Sequence, residues 1–382
     1  MLPFSYAVRN LSRDRSRLVQ SIMGTALVVF LVMGAHALNL GMTRSLTSTA
    51  SPRNVLLLGA GSEDSMQRSE VSEQAAGIAE TSLSGIQRVL GERAVSPEII
   101  HMAALETTQG EEIRGLIRGV TPRALLVHPG IVIQEGRFPG PGEMLAGRLA
   151  WRRLDLAPED LQVDSVLEFD GEPLTISGIF ASPGTVMESE LWMTLQDLRT
   201  LAQRDTVSTV VLRLETDAEL ADVELFTRQR LDLELSAVSE QSYYAKLARF
   251  YAPVRTMTWT TALLIAASAV FGGLNTLYAA FASRVRETAT LQAVGFGRGQ
   301  ILFSLLQESL LISMTGTLVG AFFAQVVLAE RVLPFGAGAI ELDLEPRTLF
   351  VGLGAGLLLG IIGTLPPAFR CLSPPLPQAL RD

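Results

Sequence analysis

The stretch Ala282–Leu311, ASRVRETATLQAVGFGRGQILFSLLQESLL, joins two long apolar segments and decides how this chain is organised. Its first part, residues 283–294, is predicted to form a helix, one face of which carries a carboxylate and two aliphatic side chains: Glu287, Leu291 and Val294. Two basic side chains are expected to keep the start of this helix at the water surface: Arg284 and Arg286. The helix is predicted to end at Gly295, because glycine accepts the positive φ angles of a helix terminus.

An amphipathic helix that projects from a membrane domain can serve as a docking element for a soluble partner. A loop that only reverses the chain is the alternative, and composition does not separate the two. The order of motifs resembles the signature of the FtsX/MacB-like permeases of ABC transporters: Arg286-Glu287, Leu291-Gln292-Ala293-Val294-Gly295, Ile301 and Gln307-Glu308-Ser309. The resemblance implies a coupling helix that docks on a cytoplasmic ATPase through seven residues: Arg284, Arg286, Glu287, Leu291, Ala293, Val294 and Gly295.

Four apolar runs are long enough to cross about 30 Å of hydrocarbon: residues 18–41, 254–282, 300–329 and 348–369. The predicted fold class is therefore an α-helical membrane protein with four transmembrane helices and a large α+β extracytoplasmic domain between the first and the second. The remaining parts are predicted as follows: a cytoplasmic N-terminus (1–17), the extracytoplasmic domain (42–253), the coupling helix (283–299), an outer loop (330–347) and a cytoplasmic tail (370–382). A cleaved signal peptide is the alternative for the first run, but that run is longer than a signal peptide needs.

Arginines predict the orientation. Nine of them flank the predicted inner ends of the spans: Arg9, Arg13, Arg15, Arg17, Arg284, Arg286, Arg298, Arg370 and Arg381. The loop 330–347 carries two arginines against four acids. The protein is predicted to lie in the inner (cytoplasmic) membrane. The positive-inside bias then predicts that both termini lie in the cytoplasm.

The segment 42–253 is predicted to fold as a mixed domain. Strands are predicted at 54–58, 112–120, 165–169, 173–180 and 208–215, and helices at 69–90, 195–203 and 217–231. Asp170-Gly171 predicts a hairpin turn.

Four aromatic residues in 239–253 suggest a helix that meets the membrane surface, either as a stalk or as an anchor. Pieces such as Gly142-Glu143-Met144-Leu145-Ala146-Gly147 resemble the outer domain of MacB-like permeases, and 366–370 with 377–381 resembles a family ending that has a turn at the prolines.

Composition excludes several classes of function. The segment 42–253 has 31 acidic and 19 basic residues, which argues against nucleic-acid binding. The only lysine is Lys246, so no Gly-Lys-[Ser/Thr] phosphate loop exists, and ATP and Mg are expected to bind a separate partner chain. One cysteine and three separated histidines show no metal-ligand spacing, and no catalytic constellation is found. Four acids are predicted to lie on the surface: Glu111, Glu112, Glu188 and Glu190.

The third span carries an intramembrane carboxylate, Glu308, which is costly at membrane depth and is expected to face protein. It is predicted to act as a conformational latch or as a packed polar anchor; a proton relay is less favoured, because no second acid or histidine lies at similar depth. Glycines four residues apart predict close helix packing: Gly316 and Gly320 in the third span, and Gly352, Gly356 and Gly360 in the fourth.

These features predict a permease subunit that couples ATP hydrolysis by a separate ATPase to movement of the outer domain. The resemblance implies export or extraction of a lipid, lipoprotein, peptide or drug-like substrate by mechanotransmission, without catalysis by this chain. The expected partners are the ATPase, a second copy or a related permease, the lipid membrane and a periplasmic membrane-fusion adaptor. The alternative is an FtsX-like regulator of extracytoplasmic cell-wall hydrolases.

Overall fold

The computed structural model describes residues 15–373, except residue 330, residues 336–337 and residue 343. Most of the predicted N-terminus 1–17, with Arg9 and Arg13, lies outside the described residues, as does the tail motif 377–381. The chain divides into two compact units. We call them the helical unit (residues up to 40, 253–331 and 342 onward) and the inserted domain (residues 41–252 and 332–341).

Four long helices, and one short one, build the helical unit; the first of them continues into the inserted domain. They are α1 (Arg15–Thr49), α8 (Ala252–Ala282), α9 (Val285–Ala293), α10 (Arg298–Leu328) and α11 (Pro346–Leu372). Among the described residues, α1, α8, α10 and α11 are the helices long and apolar enough to cross a membrane. With the domain that lies between α1 and α8, they confirm the predicted fold class.

Two helix ends differ from the predictions. Helix α1 continues eight residues beyond 41, since no proline interrupts the chain before Pro52. Helix α11 runs through Pro366 and Pro367, so the turn predicted there is wrong. Membrane helices tolerate such prolines when neighbouring groups satisfy the freed carbonyls.

The inserted domain is built on one ten-stranded sheet. Its strands are β1 (Asn54–Gly59), β5 (Val95–Thr107), β6 (Glu112–Val120), β7 (Val132–Gly136), β8 (Glu143–Gly147), β9 (Val166–Phe169), β10 (Glu172–Ala181), β11 (Leu191–Thr194), β13 (Thr209–Arg213) and β14 (Leu235–Ser239). The order is β14-β1-β13-β5-β6-β11-β8-β10-β7, and β9 pairs with both β10 and β5. Six of these strands therefore close into a ring: β5, β6, β11, β8, β10 and β9. Only β8–β10 and β6–β11 pair in parallel.

Short elements complete the domain. They are the strands β2 (Val71–Ser72), β3 (Arg88–Val89), β4 (Glu92–Arg93), β12 (Thr206–Val207), β15 (Val332–Phe335) and β16 (Gly338–Glu341), and the helices α2 (Gln74–Ser82), α3 (Ala124–Val127), α4 (Ala150–Arg153), α5 (Leu195–Leu201), α6 (Leu220–Gln229) and α7 (Glu240–Phe250). Single 3-10 turns lie at Met66–Arg68, Pro158–Leu161, Val186–Ser189 and Leu231–Leu233. The β15–β16 hairpin lies in the segment predicted as a plain outer loop.

Alternating strand residues form the core of the inserted domain. On β5, for example, Ile99, Ala103 and Leu105 are buried in the same cluster, as the two-residue period of a strand requires. The predicted hairpin at Asp170-Gly171 is confirmed: β9 and β10 pair across it, and both residues have positive φ, as the turn demands.

Two predictions for this domain are corrected. The helix predicted over 69–90 is limited to α2, and strands lie on both sides of it. The segment 239–253 forms α7, but Tyr243 and Tyr244 are buried within the inserted domain and are therefore not interfacial aromatics. Tyr243 accepts a hydrogen bond from the Met66 backbone N–H (3.1 Å), so the tyrosine hydroxyl is satisfied inside the protein.

Candidate functional site

The predicted coupling segment forms α9, a separate short helix between two spans. Arg284 occupies its N-terminal cap position, and the helix ends before Gly295, whose φ of 104° requires a residue without a side chain. Gly297 then starts α10 from an extended conformation. The two glycines make the connection an elbow: they let the chain change direction between α9 and α10.

One side of α9 packs against the ends of α8, α10 and α11. Thr288 and Ala289 are buried, and Val285 and Leu291 pack on an apolar cluster. The cluster consists of Phe281, Ile301, Leu305, Ala368, Cys371 and Leu372. The Thr288 hydroxyl also lies 3.7 Å from the thiol of Cys371 in α11. This side of α9 is therefore an internal face of the helical unit.

The opposite side of α9 is exposed. It presents four side chains at helical spacing: Arg286, Thr290, Ala293 and Val294. Val294 is 72% exposed. Four of the seven residues predicted to dock on the ATPase are exposed: Arg286, Ala293, Val294 and Gly295. The other three are partly buried: Arg284, Glu287 and Leu291.

Arg284 and Glu308 form an ion pair inside the helical unit. Arg284 Nη1 donates to both carboxylate oxygens of Glu308, at 3.1 and 3.0 Å, and both side chains are largely buried. The prediction that Arg284 keeps the helix at the water surface is therefore wrong. The pair ties the first turn of α9 to the middle of α10, and it gives Glu308 the charged partner that sequence spacing did not reveal.

We expect Glu308→Leu to destabilise the full chain far more than Glu308→Gln. Leucine leaves the buried Arg284 charge uncompensated, which costs on the order of 3–5 kcal/mol, whereas glutamine keeps a hydrogen-bond acceptor. Thermal unfolding of the purified chain in detergent measures the difference, and Arg284→Gln/Glu308→Leu should recover part of the loss. Equal loss of function in both single variants, with folding intact, would instead assign the role to the charge itself.

The predicted glycine stripes lie at close helix contacts. A Cβ added at Gly316 would come within 2.8 Å of the Ile22 carbonyl oxygen, and one at Gly320 within 2.5 Å of the Ala26 carbonyl oxygen. At Gly352 it would meet the sulfur of Met33 at 2.6 Å. At Gly356 and Gly360 it would overlap Thr317 and Ser313 of α10. These contacts leave no room for side chains at the five positions.

A buried charge network lies in the inserted domain, and the sequence did not predict it. Arg118 on β6 donates two hydrogen bonds of 2.7 Å to Glu190 and a third of 2.7 Å to Glu98 on β5. His128 lies 3.0 Å from the other oxygen of Glu98, and Trp192 donates to Glu190 at 3.0 Å. Glu190 is thus a buried member of a network, and the prediction of a surface acid is wrong.

Glu188 is corrected in the same way. Its carboxylate is buried and accepts a hydrogen bond from Arg148 Nε at 2.9 Å. The other two acids, Glu111 and Glu112, are exposed as predicted. The useful signal was a charge inside an apolar strand: Arg118 sits in Leu116–Val120, where a charge is buried and must be paired.

Electrostatics keep this network ionised. Burial alone would raise the pKa of Glu98, but the positive charges of His128 and Arg118, and their hydrogen bonds, lower it to about 2. Burial likewise disfavours protonated His128, yet the carboxylate of Glu98 raises the pKa of the imidazole. The network therefore pairs buried positive charges with buried negative ones.

Within the described part of the chain, no group of three or more His, Cys, Asp or Glu side chains is placed to hold a metal ion. The arrangement of the site is mechanical in character: an exposed helix face, an elbow and buried ion pairs that connect separate elements.

Two family models match successive parts of the chain. Residues 19–225 match the model of the MacB-like periplasmic core domain, and residues 259–376 match that of the FtsX-like permease C-terminal domain. The periplasmic region of MacB from Actinobacillus actinomycetemcomitans is similar in structure at 10% identity and a TM-score of 0.40, over 54% of this chain and 97% of that one. The extracellular domain of the noncanonic ABC-type transporter YknZ from Gram-positive bacteria is similar at 12% identity and 0.37, over 48% and 99%. No curated protein matches the chain.

Proposed function

Because this chain belongs to the MacB-like and FtsX-like family of ABC transporter permeases, we propose that it is the membrane subunit through which a separate ATPase moves the inserted domain. Members of this family are membrane permease subunits that work with an ABC ATPase. ATP and Mg would bind that partner, since this chain has no phosphate loop. The chain itself would not catalyse a reaction.

The proposed topology places α9 and both termini in the cytoplasm and the inserted domain outside the inner membrane. Arginines support it: Arg284, Arg286, Arg298 and Arg370 flank the ends of the spans around α9. The opposite ends, around residues 330–347, carry more acids than bases. In this orientation the exposed face of α9 lies on the cytoplasmic side of the membrane, where ATP is available to an ATPase.

The observation that carries the proposal is the two-sided packing of α9. One side is fixed on the helical unit by Thr288, Ala289 and Leu291, while the other leaves Ala293 and Val294 uncovered beside Arg286. A fixed helix with an exposed apolar centre and a charged neighbour suits a small protein contact, in which a few central side chains contribute most of the binding energy.

Movement of the ATPase would then reach the spans through the elbow. The Arg284–Glu308 pair links α9 to α10, so a displacement of α9 would be transmitted to α10 and would not be absorbed by a loose loop.

We propose that two permease copies, identical or related, work together, and that substrate is moved on the outer side. Lipid, lipoprotein, peptide and drug-like molecules are the candidate substrates, with a periplasmic adaptor as a further partner.

The match of residues 19–225 to the MacB-like periplasmic core domain favours transport over regulation of cell-wall hydrolases, because it covers the part of the chain that would meet the substrate. The FtsX-like match lies in the spans and suits both roles.

We expect Val294→Asp and Arg286→Glu each to weaken ATPase association by about tenfold, since central contact residues contribute roughly 1–2 kcal/mol. Affinity purification of the tagged chain from its native membrane, followed by identification of the captured ATPase and measurement of its ATP turnover, tests this. Ser373→Asp is the matched control, because it adds the same charge at an exposed position after α11. Leu291→Asp is less suitable, since Leu291 also packs on the helical unit.

Wild-type association and turnover in both variants would reduce α9 to a connector and remove the main support for this function. Loss in Ser373→Asp as well would indicate a general charge effect and not a docking face.

A further inference from the structure

The β15–β16 hairpin is part of the inserted domain although the chain enters it from α10 and leaves it toward α11. Gly338, Ala339 and Ile340 are buried. A Cβ added at Gly41, near the outer end of α1, would lie 2.5 Å from Ile340 Cγ2. The second strand of the hairpin is therefore packed into the inserted domain and does not lie loosely on its surface.

The segment Val186–Glu190 forms the contacts that hold the hairpin in place. Ser189 Oγ accepts a hydrogen bond from the Ala339 backbone N–H (3.1 Å) and donates one to the Val186 carbonyl oxygen (2.8 Å). The Val186 N–H donates to Thr49 Oγ1, at the last residue of α1 (2.9 Å). Glu190 fixes the other end of the segment in the buried network with Arg118. One five-residue segment thus contacts the hairpin, the end of α1 and the charged core.

Arg148 adds an ionic contact at the same place. Its Nε donates to the buried Glu188 carboxylate at 2.9 Å, and its Nη2 lies 3.5 Å from the carboxylate of Glu341 on β16. Gly338 fits tightly beside the segment, since an added Cβ would lie 2.9 Å from Ser189 Oγ and 3.1 Å from Val186 Cβ. Hydrogen bonds, an ion pair and close packing therefore act on one short hairpin together.

We propose that the segment Val186–Glu190 and Arg148 clamp the β15–β16 hairpin permanently, so that the hairpin carries displacements of α10 and α11 to the inserted domain as one body with it. Three residues, 329–331, join α10 to β15 along the chain. The mechanical part of this inference rests on the proposed function; the permanence of the clamp does not.

The permanence is tested on the full chain in detergent by hydrogen exchange of the segment 332–341. Ser189→Ala combined with Arg148→Gln should raise exchange of these amides by about fivefold or more, the change expected when one ordinary hydrogen bond is lost. Arg137→Gln is the control: it removes an ion pair with Glu143 on the same domain, where Arg137 is 66% exposed. Exchange of the hairpin as fast in wild type as in the double variant would overturn the clamp.

A disulfide tests whether the clamp opens during the cycle. Cysteines at 189 and 338 (S189C with G338C) meet at a contact short enough for their sulfurs to bond, and native Cys371 is buried elsewhere. With the captured ATPase bound, oxidation should leave stimulated ATP turnover unchanged relative to the reduced form. Loss of turnover on oxidation, restored by reductant, would show that the hairpin must detach, and would overturn the proposal.

Transmission is tested in the same complex. Nucleotide should change hydrogen exchange of the inserted domain in wild type, and the S189A/R148Q variant should lose at least half of that change while still binding the ATPase. An undiminished change in the variant would contradict transmission through the hairpin. Absence of ATPase binding in wild type is a different failure: it overturns the proposed function and the transmission, while hydrogen exchange of the hairpin in the chain alone still decides the clamp.

Discussion

Arg118→Met should destabilise the inserted domain by roughly 3–5 kcal/mol, a large fraction of the stability of an ordinary domain. Methionine has a similar length but no charge, so Glu190 would stay buried without its cation and Glu98 would keep only His128. Arg118 donates three hydrogen bonds of 2.7 Å, and no other described guanidinium reaches these carboxylates. Chemical denaturation of the full chain in detergent, followed by tryptophan fluorescence, measures the loss; Trp192 lies inside the network.

Two controls separate the buried charges from a general loss of arginine. Arg137→Met breaks an exposed pair with Glu143 and should cost far less, because solvent screens the two charges. Adding Glu98→Gln and Glu190→Gln to Arg118→Met should recover part of the stability, because neutral amides need no counter-charge. If Arg118→Met unfolds no more easily than Arg137→Met, the network contributes nothing to the stability of the domain.

Gly320→Leu should prevent α10 from packing on α1, with a cost at or above the upper end of roughly 1–3 kcal/mol for overpacking. The first added carbon would lie 2.5 Å from the Ala26 carbonyl oxygen and 3.0 Å from Ala26 Cα. These are backbone atoms, which cannot turn away as a side chain can, so the two helices must separate. Yield of folded protein by size-exclusion chromatography, and thermal unfolding in detergent, report the effect.

Gly354→Leu is the matched control for this clash. It makes the same substitution in a spanning helix, at a position where an added Cβ meets nothing within 4 Å. Leucine also favours a helix over glycine, so this variant should fold at least as well as wild type. Equal loss in Gly320→Leu and Gly354→Leu would show that added volume, wherever it is placed, is harmful, and that close approach of α1 and α10 is not required.

Features that depend only on residues close together in the sequence were predictable from it. Long uncharged runs predicted the four spanning helices, because length and hydropathy suffice to meet the membrane's thickness. Gly295 marked the end of α9, and Asp170-Gly171 marked a hairpin, since both depend on local φ angles. The motif around Arg286-Glu287 and Glu308 indicated the family before any contact was known.

Only the tertiary structure decided which distant residues meet. Glu308 and Arg284 are 24 residues apart, and Glu190 lies 72 residues from Arg118, so no periodic pattern could pair them. The exposed face of α9 depends on where α8, α10 and α11 end around it, which leaves Leu291 partly buried and Ala293 and Val294 exposed. Part of the loop 330–347 is a hairpin of the inserted domain because the buried Ser189 and the partly exposed Arg148 contact its second strand. A sequence specifies local geometry and burial tendency directly, whereas the pairing of buried charges is a property of the packed fold.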